Sequence, residues 1–300
     1  MKDFSFKRCS YFDQDIQEAV LNTIDDGSGA IQGSKGQTYL GVKCLASFVA
    51  GRHFAICKND RKLVKELDRY ITRLSETLVK KCWREDHFAI CLDKNITYRD
   101  GYSIYASNGL LYLLLTDTDM PVPLELFRQD IDSHIKKLMK KYGCPHSDAD
   151  YTMWVSQNMW RDIIGLYLGI DTLENTQKYW NFELTRNSWD TGSFTDVYRY
   201  GHHQVALDRY PRGMTSLGYL YALGGIAVDK ESRKMKIVPQ RTSLKVPLVS
   251  EAVWDKMKIP WVNLIEGTKQ AKFEISEFTI LNKFREIELK IPTSGEPESI

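Results

Sequence analysis

The sequence predicts a mainly α protein, a partial α/α toroid over residues 1–225 with a small β-rich module at 226–300. Three observations carry that expectation. Runs with helical spacing of apolar residues fill most of the first 225 positions. Among them, very polar helices alternate with very apolar ones. After Gly225 the pattern switches to short alternating runs separated by polar turns. A helix apolar on nearly all sides needs neighbours on several sides, whereas one with a single apolar stripe faces water. The alternation therefore reads as two concentric layers of helices. An α-solenoid would also show helix pairs, but at a repeated sequence period, and none is present.

Taken in order, residues 37–57 have helical length and are apolar nearly all round (Val42, Cys44, Leu45, Phe48, Val49), which reads as an inner helix. Residues 62–82 are the clearest amphipathic helix, with Leu63, Leu67, Ile71, Leu74 and Leu78 at three- and four-residue steps. Residues 104–116 read as another apolar helix. The next, 122–142, opens with Pro121 and Pro123 and carries Phe127, Ile131, Ile135 and Leu138 on one stripe. An apolar helix is expected over 151–168, stopped at Gly169, then a helix over 172–184 capped by Thr172. A last helix, from about Met214 to Leu223, ends at Gly224-Gly225. No strand is expected before residue 225. Beyond it, 226–228 and 235–238 flank Asp229-Lys230-Glu231-Ser232 as a hairpin, and alternating runs recur at 270–275, 277–281 and 286–291.

Composition narrows the class. The 300 residues are 43% hydrophobic and 27% charged, ordinary globular values. Forty-one basic against 39 acidic residues leave a net charge of +2, no lure for nucleic acid or an anionic membrane, so neither is expected as a partner. The apolar stretches, such as Leu110–Leu115, read as too short to cross a bilayer. The six cysteines form no C-x-x-C pair and several fall in apolar runs, so they are expected to be reduced. The opening MKDFSFKRCSYFDQD has no charged region followed by an apolar one, which makes a cytoplasmic location the expectation.

Three clusters could carry chemistry. Residues 22–43 place Asp25 and Asp26 beside a Gly-rich loop leading into the apolar helix, a position suited to acid/base work or to a simple capped turn. Residues 202–216 gather His202, His203, Asp208, Arg209 and Arg212. Arg212, between Pro211 and Gly213, can fork onto vicinal hydroxyls or a carboxylate, or serve a surface ion pair. The adjacent histidines lack the spacing of a metal site, and no metal or cofactor is expected. The third cluster mixes Trp154, Trp160, Trp180, Trp189, Tyr198 and Tyr200 with Ser156, Gln157, Asn158, Arg161, Asp162 and Asp196. Aromatic faces with amides and carboxylates suit a sugar, while for any single Trp a place in the core is the commoner one. No G-x-G-x-x-G, Walker loop or G-x-S-x-G elbow occurs.

Together these clusters resemble retaining β-glycosidases of the clan that joins glycoside hydrolase family 52 β-xylosidases and family 116 β-glucosidases. Asn22-Thr23-Ile24-Asp25 resembles the family's N-T-Y-D, and Tyr39-Leu40-Gly41-Val42-Lys43 is similar to a Tyr-Leu-Ala-Gly-Lys segment. Tyr210-Pro211-Arg212-Gly213-Met214-Thr215 resembles Tyr-Pro-Arg-Gly-Val-Thr. Two positions depart: Ile24 stands for the Tyr before the acid/base, and Val205 for an acidic sugar contact.

The resemblance implies the C-terminal half of a six-hairpin glycosidase barrel, acting on β-xylosides or β-glucosides. Asp25 would be the general acid/base, with Thr23 and Arg212 as sugar contacts. Asp26, Trp160 and Asp196 complete the candidate substrate-binding set. The family's nucleophile Glu lies far upstream of the acid/base, and only 24 residues precede Asp25. The expectation is therefore a completing N-terminal chain, self-association, or a sequence that is a piece of a longer enzyme. Two alternatives remain: an inverting glycosidase pairing Asp25 with Asp162 or Asp196, and a non-catalytic carbohydrate-binding or scaffold protein on the same fold.

Overall fold

Among the described residues helices dominate, accompanied by four small sheets. The computed structural model describes residues 11–13, 18–20, 34, 36–186, 195–206, 215–241, 243–248, 260–265, 272–275 and 283–290. The chain divides into two compact units, Met1–Leu113 with Asp119–Gly213, and Leu114–Thr118 with Met214–Ile300. The expected boundary after residue 225 moves to before the last helix, because that helix packs on strands of the second unit.

In the first unit, a hairpin of β1 (Tyr11–Asp13) and β2 (Glu18–Val20) precedes α1 (Thr38–Cys57). α1 buries Val42, Leu45, Ala46 and Phe48 against α2 (Arg61–Thr77), with Phe48 on the Tyr70 ring at 5.6 Å. α2 starts where Asp60 accepts a hydrogen bond from the Leu63 amide at 3.0 Å, and it continues as a π-turn, Leu78–Cys82. α2 buries few of its residues, α1 many, as their polarity predicts. α1 is also the one helix among the described residues long and apolar enough to cross a membrane, which corrects the reading that every apolar stretch is too short. Its buried residues concentrate at Thr38–Phe48, while Phe54 and Ile56 near its end are exposed.

The helix expected over 104–116 is instead a 3-10 turn, Asn108–Leu110, running into a single helical turn, α3 (Leu111–Leu114). Ser103 bends the entry by accepting the Tyr105 amide through its hydroxyl. Gly109 then lies so close to α1 that a Cβ there would sit 2.6 Å from the Lys43 backbone nitrogen. α4 (Leu124–Leu138) starts after Pro123, with Glu125 in its first turn and Lys136 and Lys137 in its last, each complementing the helix dipole.

The expected helix over 151–168 opens as a strand, β3 (Thr152–Trp154), before α5 (Val155–Tyr167). β3 pairs antiparallel with β4 (Val197–Arg199), and β4 with β5 (Gln204–Ala206). These strands and the β1–β2 hairpin correct the expectation of no strand before 225; each is three residues long, too short for a periodic signal. α6 spans Asn175–Arg186. Thr172 serves its start through the backbone carbonyl, which accepts the Asn175 amide at 3.1 Å, while the Thr172 hydroxyl donates to the Asp162 carbonyl at 2.7 Å.

In the second unit, α7 (Gly218–Gly224) stops at Gly225, whose φ of 53° and 1.9 Å Cβ clearance to the Val238 carbonyl oxygen admit only glycine. The expected hairpin follows as β6 (Ile226–Asp229) and β7 (Lys234–Ile237), and β11 (Glu286–Leu289) adds parallel to β7. β8 (Leu244–Pro247), β9 (Trp261–Ile265) and β10 (Lys272–Ile275) form a second antiparallel sheet. The core between them is Ile226, Val228, Met235, Ile237, Val246 and Val262. The run at 277–281 lies outside the described residues.

Candidate functional site

Of the sequence-derived site residues, Thr23, Asp25, Asp26 and Arg212 lie outside the described residues, as does Trp189. Trp160 and Asp196 are described, and so is Asp162. They occupy three different environments.

Asp196 is a helix cap supplied from another element. Trp154 offers α5 no side-chain cap, and the strand end at Asp196 does so instead. Its Oδ1 accepts the Ser156 amide at 2.8 Å, its Oδ2 the Ser156 hydroxyl at 2.9 Å, and its carbonyl the Val155 amide at 2.8 Å. Buried at the positive end of the helix with both oxygens engaged, Asp196 holds α5 in place. Nearby Glu183 accepts the Thr195 amide at 3.2 Å, and burial next to the Asp196 charge pushes its carboxyl up to about 7.

Asp162 is the anionic half of a fully buried network. Arg161 donates to Asp162 Oδ1 through Nε at 2.8 Å and through Nη2 at 2.5 Å. Tyr179 donates to Asp162 Oδ2 at 2.5 Å, and Asn175 reaches Oδ1 at 3.3 Å. The paired carboxylate keeps the guanidinium charged, its pKa well above the usual value, although burial opposes this. Burial raises Asp162 against the same partner's opposing pull. On α4, Asp130 and His134 are also fully buried, with His134 Nδ1 3.8 Å from Asp130 Oδ2. Burial pushes Asp130 up to about 8 and His134 well below its ordinary value, so both are neutral near pH 7. With no exposure and both oxygens held, Asp162 has no free face for a water. The inverting alternative loses both Asp162 and Asp196 for this reason.

Trp160 belongs to a different kind of place. Its indole N–H donates to the Asn108 carbonyl at 3.0 Å, and its ring meets exposed Tyr112 edge-on at 5.9 Å. Asn108 also donates through Nδ2 to Gln157 Oε1 at 2.7 Å. The backbone of the next residue, Gly109, lies on α1 at Lys43. The Lys43 ammonium donates to the Tyr39 hydroxyl at 2.6 Å and sits 4.4 Å from that ring's centre. Tyr39 in turn contacts Tyr105 at 5.3 Å, and the Tyr105 hydroxyl is 2.6 Å from His146 Nε2. His146 packs on Trp154 at 5.4 Å, and its Nδ1 lies 3.8 Å from Asp150.

Residues 105–109 are thus a hub joining α1, α5 and the His146 segment. Half-buried Tyr39, Lys43, Gln157 and Trp160 surround it. Inside it, Ser107 Oγ and Asn108 Oδ1 are buried without a hydrogen-bond partner. Aromatic faces, amides, a hydroxyl and one ammonium are the groups that hold a polar ring with several hydroxyls. Of these, the sequence reading picked out Trp160 and Gln157 in its aromatic cluster. It missed Tyr39, Lys43, Tyr105, Asn108 and His146 as binding groups, although the Tyr39–Lys43 spacing of four on a helix marks one shared face.

The fold is similar to part of a GH78-family rhamnosidase of Bacillus sp. GL1, with a TM-score of 0.62 and 13% sequence identity over 97% of this chain. The chain spans 30% of that protein's length. No family model matches the chain, and no curated protein sequence matches it. The likeness establishes a glycosidase-like fold, a mainly α body with small sheets.

Proposed function

We propose that this chain is the glycosidase-type part of a carbohydrate-active enzyme, an α/α toroid portion whose sugar site includes the hub at 105–109. The observation that carries the reading is the meeting of half-buried Trp160 and Gln157 with Asn108, and of the Lys43 backbone with Gly109, at one buried segment, in a fold similar to part of a rhamnosidase. In this reading Asp25 is the general acid/base. Thr23, Asp26 and Arg212 contact the sugar. The substrate is a glycoside, β-xyloside and β-glucoside being the finer proposal from the motif resemblance. A retaining reaction needs a second carboxyl roughly 5 Å from the first, which a completing chain or a second copy would supply.

The test is turnover of activated aryl β-xyloside, β-glucoside and rhamnoside by the full chain, alone and with any copurifying partner. Asp25→Asn is expected to lower turnover roughly a hundred-fold or more for a leaving group that needs protonation. Unchanged turnover in that variant contradicts the role. Sugar binding without turnover is the second reading. It is favoured by Asp162 and Asp196 being committed to structure, which leaves the inverting alternative without either proposed partner for Asp25.

A further inference from the structure

The turn at residues 83–88 meets the segment at 99–102 across one imidazole, that of His87. Trp83 and Phe88 close the turn as an antiparallel bridge, and the Arg84 amide donates to the His87 carbonyl at 2.8 Å. The buried His87 ring has an acceptor at each nitrogen: Nδ1 lies 2.8 Å from Asp86 Oδ1, and Nε2 lies 2.9 Å from the Asp100 carbonyl oxygen. A carbonyl oxygen has no proton to give. The Asp86 carboxyl has none either: against its burial, hydrogen bonds with His87, Tyr102 and Ser133 hold it below its ordinary value. A neutral imidazole carries one N–H, so at one of the two contacts it would set its lone pair against an oxygen lone pair. The Tyr102 ring stacks on the imidazole, centroids 3.9 Å apart and planes 23° from parallel, where a ring face attracts a cation. Its hydroxyl donates to Asp86 at 3.0 Å.

We propose that His87 is an imidazolium that clamps the 83–88 turn to the 99–102 segment, and that loss of one ring proton opens the clamp, a pH switch at the entry to the hub segment. Histidine is the side chain that ordinarily changes charge near neutral pH. The surrounding charges leave the pairing to Asp86. Arg84 and Arg99 both bond the Asp100 carboxylate. On α4, Asp130 and His134 are neutral near pH 7, and Lys137 sits 5.7 Å from the centre of the Tyr102 ring. Burial, the bond to Asp86 and the charges of Asp148 and Glu85 raise the Tyr102 pKa, so the phenol keeps its proton. Folding favours the doubly protonated ring, so the clamp's contribution is complete at acid pH and is lost as pH rises. The switch does not depend on what the hub binds.

Nitrogen NMR of the histidine rings in the full chain, from about pH 5 to about pH 9, tests this. Both His87 nitrogens are expected to be protonated at the acid end and one at the alkaline end. Hydrogen exchange, corrected for its intrinsic pH dependence, is expected to lose about tenfold protection in peptides covering 83–90 and 98–104 over the same range. His87→Gln is expected to show the alkaline level of protection at every pH. In Asp130→Asn, where the acid that holds the Phe88 amide no longer titrates, the loss should persist. A singly protonated His87 ring in the folded protein at about pH 5 overturns the proposal, and so does a loss that survives His87→Gln or vanishes in Asp130→Asn. The wild-type spectrum decides the matter even if His87→Gln fails to fold.

Discussion

The two polar regions of the first unit use the same residue types to opposite ends. Around Arg161, the two opposite charges are enclosed and answer each other, the guanidinium paired with Asp162 and the carboxylate with Arg161, Tyr179 and Asn175, while Arg161 Nη1 is buried without a hydrogen-bond partner. Around residues 105–109 the segment itself is buried, the side chains of Tyr39, Lys43, Gln157 and Trp160 that ring it are half-buried, and several polar groups are answered weakly. Lys43 has a phenol in place of a carboxylate, and Ser107 Oγ and Asn108 Oδ1 have no partner. A closed network ties α5 to α6, because a packing that separated them would strand a charge. An open cluster fixes little and keeps its hydrogen-bonding capacity for a ligand. Carboxylates that looked catalytic in the sequence, Asp162 and Asp196, belong to the first category. An inconspicuous lysine and asparagine belong to the second.

This contrast can be broken by substitution, and the largest effect belongs to the closed side. Arg161→Met leaves Asp162 buried without its counter-ion and is expected to cost roughly 3–5 kcal/mol in urea unfolding. The double variant Arg161→Met/Asp162→Leu should recover much of that loss, since no charge is then stranded. A single substitution costing under about 1 kcal/mol would mean that the network is open to water.

Next in size is Asp130. Its Oδ1 accepts the Phe88 amide at 2.8 Å, and burial keeps the carboxyl protonated to about pH 8. Asparagine imitates the protonated acid, so Asp130→Asn should cost under about 1 kcal/mol, whereas Asp130→Ala strands the amide and should cost about 1–3 kcal/mol. Equal losses in the two variants would show that the native group is ionised.

A pH series sharpens the same point. Glu183 has its pKa raised from 4.5 to about 7, so the folded state holds its proton more tightly than the unfolded chain does. The stability it contributes is complete below 4.5 and is lost as pH rises through about 7. Stability of the wild type relative to Glu183→Gln, which cannot ionise, is expected to fall across that window and then level off. A difference that stays flat with pH contradicts the raised pKa.

The smallest stability effect belongs to the open side. Trp160→Phe removes one hydrogen bond, to the Asn108 carbonyl, and should cost about 1 kcal/mol in unfolding. Its expected mark is on binding instead, as weaker sugar affinity in calorimetry. Loss of folding with affinity unchanged would make Trp160 a core residue.

Legibility followed the range of the interactions. α1 and α2 were readable because their signal is local: apolar spacing along one helix and Asp60 at its start. The Gly225 stop and the β6–β7 hairpin were readable for the same reason, since the backbone conformation needs glycine and the turn is four residues long. The segment at 104–116 misled because its apolar residues are buried without being helical, and Ser103 and Gly109 act through a local side-chain bond and a contact with a distant helix. Asp196 capping Ser156 spans 40 positions, and no spacing rule reaches that far. Likewise the hub unites residues from 39 to 160, so the sequence marks Trp160, Gln157 and Trp154 in one cluster and Tyr39 and Lys43 in a separate motif, without joining the two.

Hydrogen exchange read by mass spectrometry, with and without saturating sugar, tests the central claim most directly. The account predicts added protection in peptides covering 37–44 and 104–112, with the peptides of the Arg161 network unchanged. Protection confined to the network peptides, or absent throughout with sugar bound, would contradict the placement of the site at this hub.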